Sequence, residues 1–468
     1  MLTGSGTAGA YHAGALRALR EAGVKVDLVA GLGMGAASAL FAAVDGGSRL
    51  WADDALWRTE AATALYRWRV GLRVAALAIA VALATVLLPL GLFLVAVLVY
   101  PIGFLLEIVG VQAGAGLAAA YARLLADAFG AGALPTVLPR VMVLALVVLL
   151  AVLGAGLIQA IRANARRRER GPIWWRAFGA PLVAADVVNR FASEVWQLIR
   201  GSAVPCPALG DISIGYVELL KENLGQPGFR ELILTAFDLD ARRDLIFALL
   251  SEAQRAEYFA PRPGVDEEWR QSERLDLAGV AGHHVGDGLA GALTVPILAE
   301  PHLMVFSSDS YWRGETHRLC ARPGALGRLL EEVAEAGVEQ VVILSATAEH
   351  AGPHALDVGR RDPRGRLGEF LAATEATALR EAAHVAKKRF RTVFTIRPAH
   401  NPIGPFDLAG CYDERSDRRH TLAEVVERGY QDAYRQFIDP VIGAGGDQLY
   451  RARREASPPS TPVERTRP

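Results

Sequence analysis

The chain has 468 residues, enough for two or three domains of average size. Lysine plus arginine and aspartate plus glutamate both number 50, so the net charge is zero and no global field would attract nucleic acid. Apolar residues make up 51% and the mean hydropathy is +0.22, which favours a chain that lies partly in lipid over a wholly soluble one.

The cysteines and the N-terminus exclude two further classes. Cys206, Cys320 and Cys411 lie far apart and form no C-x-x-C pair, so we expect no disulfide framework, no metal site and no cofactor. The first residues lack a basic region and an apolar signal core. We therefore expect the soluble parts to be cytoplasmic.

A glycine-rich stretch opens the chain. Gly4-Ser5-Gly6-Thr7-Ala8-Gly9 fits G-x-G-x-x-G, a dinucleotide-binding pattern, but only three residues precede it where that fold needs a full strand. Asp27 comes before most of the second apolar run rather than after it. Two interpretations remain open at this point: a nucleotide-binding loop in a membrane protein, or a glycine turn into a helix over residues 10–22.

A second glycine-rich corner follows a short strand predicted over residues 26–30. Gly31-Leu32-Gly33-Met34-Gly35 has the frame of the nucleophile elbow, G-x-S-x-G, with Gly33 in the serine position. Glycine adopts the strained conformation of this corner freely, so we expect the fold to be kept. We also expect a serine at position 33 to be tolerated, since serine is the residue that such a corner usually accommodates. The oxygen that attacks a substrate is absent. Ser5 and Ser38 lie outside the corner.

Two charge-free runs, residues 74–106 and 141–161, predict membrane spans. As one helix the first run would measure about 50 Å against a hydrocarbon core of about 30 Å. It would therefore either tilt and overshoot the core or break, and Pro89 and Pro101 are the predicted break points. The second run suits a single crossing.

Arginines flank both runs, which predicts that both ends are cytoplasmic and that the number of crossings is even. We expect two crossings. The alternative is four, split at Pro89 and using residues 114–132, against which Arg123 and Asp127 count. Trp174 and Trp175 would lie in an interfacial belt. The flanking arginines are Arg67, Arg69 and Arg73 before the first run, and Arg162, Arg166, Arg167, Arg168 and Arg170 after the second.

The chain after the second run has the pattern of a soluble α/β domain. Asp287-Gly288-Leu289 follows a turn-rich stretch within it, and we expect the neighbouring His283 and His284 to have a loop or surface role. His12 is expected to be a packing or surface residue. Predicted strands cover residues 232–238, 244–247, 304–307, 341–345 and 392–396, all of them buried, and predicted helices cover residues 186–200, 325–336, 367–388 and 421–437.

In this order, the glycine loop, the corner and the Asp-Gly pair resemble the motifs of the patatin-like phospholipases. The resemblance covers residues 1–60 and about 180–440. That family's loop, G-G-G-x-R-G, supplies backbone N–H groups to an oxyanion, and a Ser–Asp dyad cleaves acyl esters. The resemblance implies an oxyanion loop at Gly4, Ser5, Gly6 and Gly9, a corner framed by Gly31 and Gly35 around Gly33, an acid at Asp287, and an Asp-Gly motif completed by Gly288 and Leu289.

Four residues depart from the family's pattern, and the first strand is almost absent, which would fit a truncated start. Gly33 replaces the nucleophile, Ser5 a glycine of the loop, Ala8 its basic residue, and Leu289 a small residue after the Asp-Gly pair. Loss of the nucleophile alone costs a serine hydrolase about a millionfold in turnover. We therefore expect catalysis to be impaired.

The predicted architecture is an α/β, patatin-like three-layer domain with a central, mostly parallel sheet, interrupted by transmembrane helices. Residues 1–60 and 176–445 would form the domain, residues 61–175 the insertion, and residues 446–468 a disordered tail. We expect a multi-pass protein of the cell (inner) membrane, with both termini cytoplasmic, that binds membrane lipid, an acyl chain or a protein partner but no nucleic acid. The alternative is an active lipid acyl hydrolase with an unrecognised nucleophile.

Overall fold

The computed structural model divides the chain into two units, residues 1–67 with 183–468, and residues 68–182. The inserted unit thus begins and ends seven residues later than the expected 61–175. The structure describes residues 1–111, 113–164, 179–201, 204–260, 272–308, 310, 312–348, 363–399, 403–413 and 418–442. The predicted tail, the arginine flank at 166–170 and the two tryptophans at 174 and 175 lie outside these residues.

A nine-stranded sheet is the centre of the first unit, in the order β5-β4-β3-β2-β1-β8-β9, with β7 beside the end of β3 and β6 beside β7. Five strand pairs are parallel and three are antiparallel, so the sheet is mixed and mostly parallel. The strands are β1 (Leu2–Thr3), β2 (Leu28–Leu32), β3 (Glu231–Asp238), β4 (Arg243–Leu249), β5 (Ser272–Asp276), β6 (His302–Val305), β7 (Thr316–Cys320), β8 (Gln340–Ser345) and β9 (Thr392–Ile396), followed by the separate hairpin β10 (Cys411–Asp413) and β11 (Arg418–His420).

Helices surround this sheet and form most of the second unit. They are α1 (Ala8–Glu21), α2 (Met34–Ala42), α3 (Val70–Ile108), α4 (Ala113–Ala128), α5 (Leu134–Asn164), α6 (Ala184–Arg200), α7 (Leu209–Asn223), α8 (Glu252–Tyr258), α9 (Val285–Leu293), α10 (Leu326–Glu335), α11 (Pro363–Arg389) and α12 (Leu422–Ala433). A capping box of Thr421 and Glu424 starts α12, which continues as a π-helix over Tyr434–Ile442.

Helices cover both faces of the sheet, which accounts for the fully apolar strands. Ala30 and Ile233, paired on neighbouring strands, face a core built with α10 and α11. Phe247 and Ala236 face the other side, where α9 packs closely through its glycines. Helices on both faces of a mostly parallel sheet confirm the predicted α/β class. Strands that are buried on both faces have continuous apolar sequences rather than alternating ones.

Two strands are less buried than predicted. β9 was expected to be buried, yet four of its five residues are only partly so, because it lies at one edge of the sheet. For the buried strand predicted over residues 304–307, Met304 and Phe306 are buried as expected, but Val305 is 58% exposed, because β6 pairs only with β7 and lies at the edge of the sheet. β1 has only two residues, Leu2 and Thr3, but it lies between β2 and β8 in the middle of the sheet.

The second unit contains two helices that are long and apolar enough to cross a membrane. They cover Val70–Ile108 and Leu134–Gln159, and almost none of their most apolar windows is buried. The predicted breaks at Pro89 and Pro101 are wrong, because both prolines lie inside one continuous helix of 39 residues. Each proline removes one backbone hydrogen bond, which a long helix tolerates as a kink. α4 does not have the length and hydropathy that a membrane span needs.

Candidate functional site

The corner after β2 has the backbone geometry of an elbow. Gly33 joins the end of β2 to the start of α2 with φ 59° and ψ −133°, a conformation that L side chains rarely adopt. Gly31 and Gly35 let the elements approach, since a Cβ on Gly31 would overlap the Gly35 backbone and one on Gly35 would overlap that of Leu2. The corner is therefore held tightly against β1.

The Gly4 carbonyl occupies the space in which a nucleophile would begin. Its oxygen accepts a hydrogen bond of 2.7 Å from the Met34 N–H, the donor that follows the nucleophile position. A Cβ added to Gly33 would lie well under 3.0 Å from the same oxygen. The expectation that serine is tolerated at position 33 is therefore wrong, because the obstructing atom is backbone and cannot rotate away.

The glycine loop is closed by a later segment of the chain. Thr7 donates its N–H to the Pro405 carbonyl at 2.9 Å and its hydroxyl to the Gly404 carbonyl at 3.0 Å. Gly6 has φ 52°, and a Cβ on it would overlap the Pro405 carbonyl.

The next N–H groups of this loop are used within it. Ala8 donates to the Ser5 carbonyl and Gly9 to the Gly6 carbonyl, while Gly9 lies against the Trp57 ring. The predicted oxyanion loop is thus beside the corner, but the N–H groups of residues 7–9 already have acceptors.

His12 lies beneath this loop, fully buried, with both ring nitrogens bonded. Its Nε2 is 3.0 Å from the Thr3 carbonyl oxygen and its Nδ1 is 3.1 Å from Ser38 Oγ. A carbonyl can only accept, so Nε2 carries the proton and Nδ1 accepts from the hydroxyl. Burial lowers the pKa of His12 to about 4, so the ring is neutral near pH 7. It is a packing residue, as expected.

Glu375 is a buried acid at the same end of the sheet, and sequence reasoning missed it. It is 3% exposed on α11, and its Oε1 accepts from Ser345 Oγ at 2.9 Å. That oxygen also lies 3.7 Å from the position of a Cβ on Gly4. Burial raises the pKa of Glu375 to about 7. No local signal distinguishes Glu375 from other acids of this long helix; only the pairing of β8 with β1 brings it to the glycine loop.

Asp287 lies in the first turn of α9, and two imidazoles bind its carboxylate. His284 Nδ1 donates to one oxygen and His302 Nε2 to the other, both at 2.7 Å. Burial opposes ionisation, but these hydrogen bonds outweigh it and hold the pKa of Asp287 below its usual value. His284 is 3% exposed, so the expected surface role is wrong for it, and a short 3-10 turn over residues 282–284 directs its ring at Asp287. His283 is exposed, as expected.

The rest of the Asp-Gly motif packs α9 onto the sheet. Gly288 lies against the Phe247 ring, so tightly that a Cβ would come within 2.9 Å of it. Leu289 is buried beside Leu40 and Tyr216 in a small apolar pocket. The large residue at position 289 thus fills a gap between α2, α7 and α9.

An open cleft lies where β1 and β8 diverge. These parallel neighbours continue in opposite directions, β1 through α1 to β2 and β8 through α11 to β9, and such a switch point is where open α/β sheets bind ligands. The cleft has about 410 Å³ of empty space, its open mouth included. Its walls come from Thr7, Tyr11, Ala346, Pro398, Ile403, His420, Glu424, Val425 and Arg428.

Fold and corner together define an α/β protein that has a strand–turn–helix corner of the elbow type and lacks a side chain at its apex. Comparison with protein-family models, curated proteins and solved structures finds no match for this chain. Within the described ranges, no group of three or more His, Cys, Asp and Glu side chains is arranged to hold a metal ion.

Proposed function

We propose that the chain is a membrane-anchored, patatin-like protein that has lost serine-dependent acyl hydrolysis and acts by binding a lipid or a protein partner. The observation that carries the proposal is the Gly4 carbonyl oxygen, which binds the Met34 N–H and fills the Cβ space of Gly33. Acyl transfer needs a nucleophile and free donors about 3 Å from the developing oxyanion. At this corner the nucleophile is missing, and the N–H groups of Met34 and of residues 7–9 already have acceptors.

The surroundings of Asp287 support the same conclusion. In the resembled family this position is the acid of the dyad, and it would have to reach the nucleophile by a hydrogen bond. Here both carboxylate oxygens are bound by His284 and His302. These bonds join the start of α9 to β6, which is a structural task.

The anchor is supported by the two apolar helices of the inserted unit. Leu98 is 64% and Leu150 66% exposed, and exposed leucines over such lengths favour lipid as the surrounding medium. We propose a multi-pass protein of the cell (inner) membrane in which both helices span the bilayer and the α/β unit is cytoplasmic, as the flanking arginines predict. The partner would be a membrane lipid, an acyl chain or a protein.

Ester hydrolysis by the purified full chain in lipid nanodiscs tests this function. With p-nitrophenyl esters and with phospholipid as substrates, we expect the wild type to give the rate of empty nanodiscs, and Asp287→Asn to leave that rate unchanged. Hydrolysis well above this background that Asp287→Asn abolishes would refute the proposal and identify an active lipid acyl hydrolase.

A further inference from the structure

Among the described residues that line the switch-point cleft, Arg428 is an arginine that a ligand can reach. Arg428 lines it from α12 and is half-buried. Within the part of the chain that the structure describes, no hydrogen bond or ion pair involves Arg428; its recorded influence is electrostatic, on the Tyr11 hydroxyl. A guanidinium held at a cleft wall presents a planar fork that matches a carboxylate or a phosphate.

The other polar groups of the cleft are already engaged. The Tyr11 hydroxyl donates to Asp432 at 3.1 Å, and Thr7 binds the 404–405 segment. Glu424 stands one helical turn before Arg428, but its carboxylate accepts the Thr421 backbone N–H at 2.8 Å as part of the capping box. Arg428 is therefore the group that would recognise an anion.

His420 also lines the cleft, with its Nδ1 4.0 Å from a carboxylate oxygen of Glu424, and the remaining walls are apolar. Ala346 follows β8, Pro398 follows β9, and Ile403 and Val425 complete the lining. Small-molecule sites typically combine such apolar walls with a few polar groups that fix the orientation of the ligand. A cleft of this composition would bury a short hydrocarbon body beside a charged head.

We infer that the switch-point cleft binds a small amphipathic anion, with a carboxylate or phosphate head on Arg428 and a short apolar body on Ile403 and Val425. The inference deepens the proposed function by naming the ligand class and by placing the site away from Gly33. It does not require the corner to be inactive, so binding and hydrolysis can fail separately.

Calorimetric titration of the full chain in nanodiscs tests this site, with empty nanodiscs subtracted. The probes are hexanoate, hexyl phosphate and inorganic phosphate. We expect one saturable site for hexanoate or hexyl phosphate, the tighter of the two identifying the head group, and much weaker binding of inorganic phosphate. Arg428→Gln should raise the dissociation constant of the hexyl probe that binds by about tenfold or more, since it removes a charge-assisted hydrogen bond.

Three further variants separate the site from general effects. Arg428→Lys, which keeps the charge but loses the fork, should bind with intermediate affinity, and Val425→Trp, which fills the cleft, should abolish binding. Arg380→Gln, at an exposed arginine of α11, should bind like the wild type. The inference is overturned if neither hexyl probe binds or if inorganic phosphate binds equally well. It is also overturned if Arg428→Gln and Val425→Trp variants that keep the wild-type melting temperature bind the probe as tightly as the wild type does.

Discussion

The Gly4 carbonyl oxygen accepts the Met34 N–H and stands where a side chain on Gly33 would begin. A serine at this position would lower the free energy of unfolding for two reasons. A non-glycine residue in this conformation costs about 1–3 kcal/mol, and overpacking against fixed backbone costs about 1–3 kcal/mol more. At the residue scale, the corner has therefore become specific for glycine.

Gly33→Ser should thus destabilise the protein. Gly23 is a matched control, because it has φ 70° and a Cβ there would meet nothing within 4 Å. We expect Gly33→Ser to lower the free energy of unfolding by about 2 kcal/mol more than Gly23→Ser, as measured by urea unfolding in nanodiscs. Equal losses in the two variants would show that the Gly4 carbonyl does not obstruct the site.

Glu375 predicts a pH dependence of stability. Burial raises its pKa from 4.5 to about 7, so the folded chain keeps the proton over this range while the unfolded chain releases it. The stabilisation is complete below about pH 4.5 and is lost as the pH rises through 7; a shift of this size corresponds to about 3 kcal/mol.

The comparison of Glu375→Gln with the wild type isolates this effect from His12, which titrates with the opposite sign. Between pH 5 and 8 the wild type should lose up to about 3 kcal/mol of unfolding free energy relative to Glu375→Gln. Glu381→Gln, at an exposed position of α11, should follow the wild type. Parallel pH profiles for Glu375→Gln and the wild type would mean that Glu375 is ionised in the folded protein.

At the scale of elements, α9 depends on its small residues to reach the sheet. A Cβ on Gly291 would come within 2.9 Å of both Ala236 and Leu319. Gly291→Val should therefore lift the helix and cost about 1–3 kcal/mol of stability, measurable by urea unfolding. Gly327→Val in α10, where a Cβ meets nothing within 4 Å, is the control and should be nearly neutral. A neutral Gly291→Val would show that α9 is loosely packed.

Sequence reasoning predicted the elements that local patterns specify. The strand at 392–396 was predicted with the bounds that the structure gives, and α10 to within one residue at each end, because a short run rich in β-branched and aromatic residues and an amphipathic helix are both clear local patterns. Whether α3 is continuous was left open, since a proline in the sequence does not reveal whether a long helix tolerates it.

The site could be predicted only in part, because the contacts that decide its chemistry are distant in sequence. The glycine loop and the corner were recognised from their glycines. The partners of Asp287 were not recognised. His284 was read as a loop or surface residue because no carboxylate partner is evident in the sequence, and His302 reaches Asp287 only through the edge strand β6.

At the scale of the whole molecule, the two long apolar helices of the inserted unit predict a membrane location. If α3 and α5 both cross the bilayer, a reporter inserted after Gly110 should lie on the opposite side from reporters placed after Gly201 and at the C-terminus. The protein should also stay in membranes at alkaline pH. A reporter after Gly110 on the same side as the other two, or release by alkaline carbonate, would contradict a two-span anchor.

The claim that this corner no longer performs serine chemistry is tested most directly by labelling the purified wild type with a fluorophosphonate probe. A known serine hydrolase added to the same nanodiscs would serve as the internal control. We expect the control to be labelled and this chain to show no adduct by intact mass spectrometry, because Gly33 offers no oxygen and the Met34 N–H is occupied. A stoichiometric adduct on one serine, lost when the protein is denatured before labelling, would contradict the account.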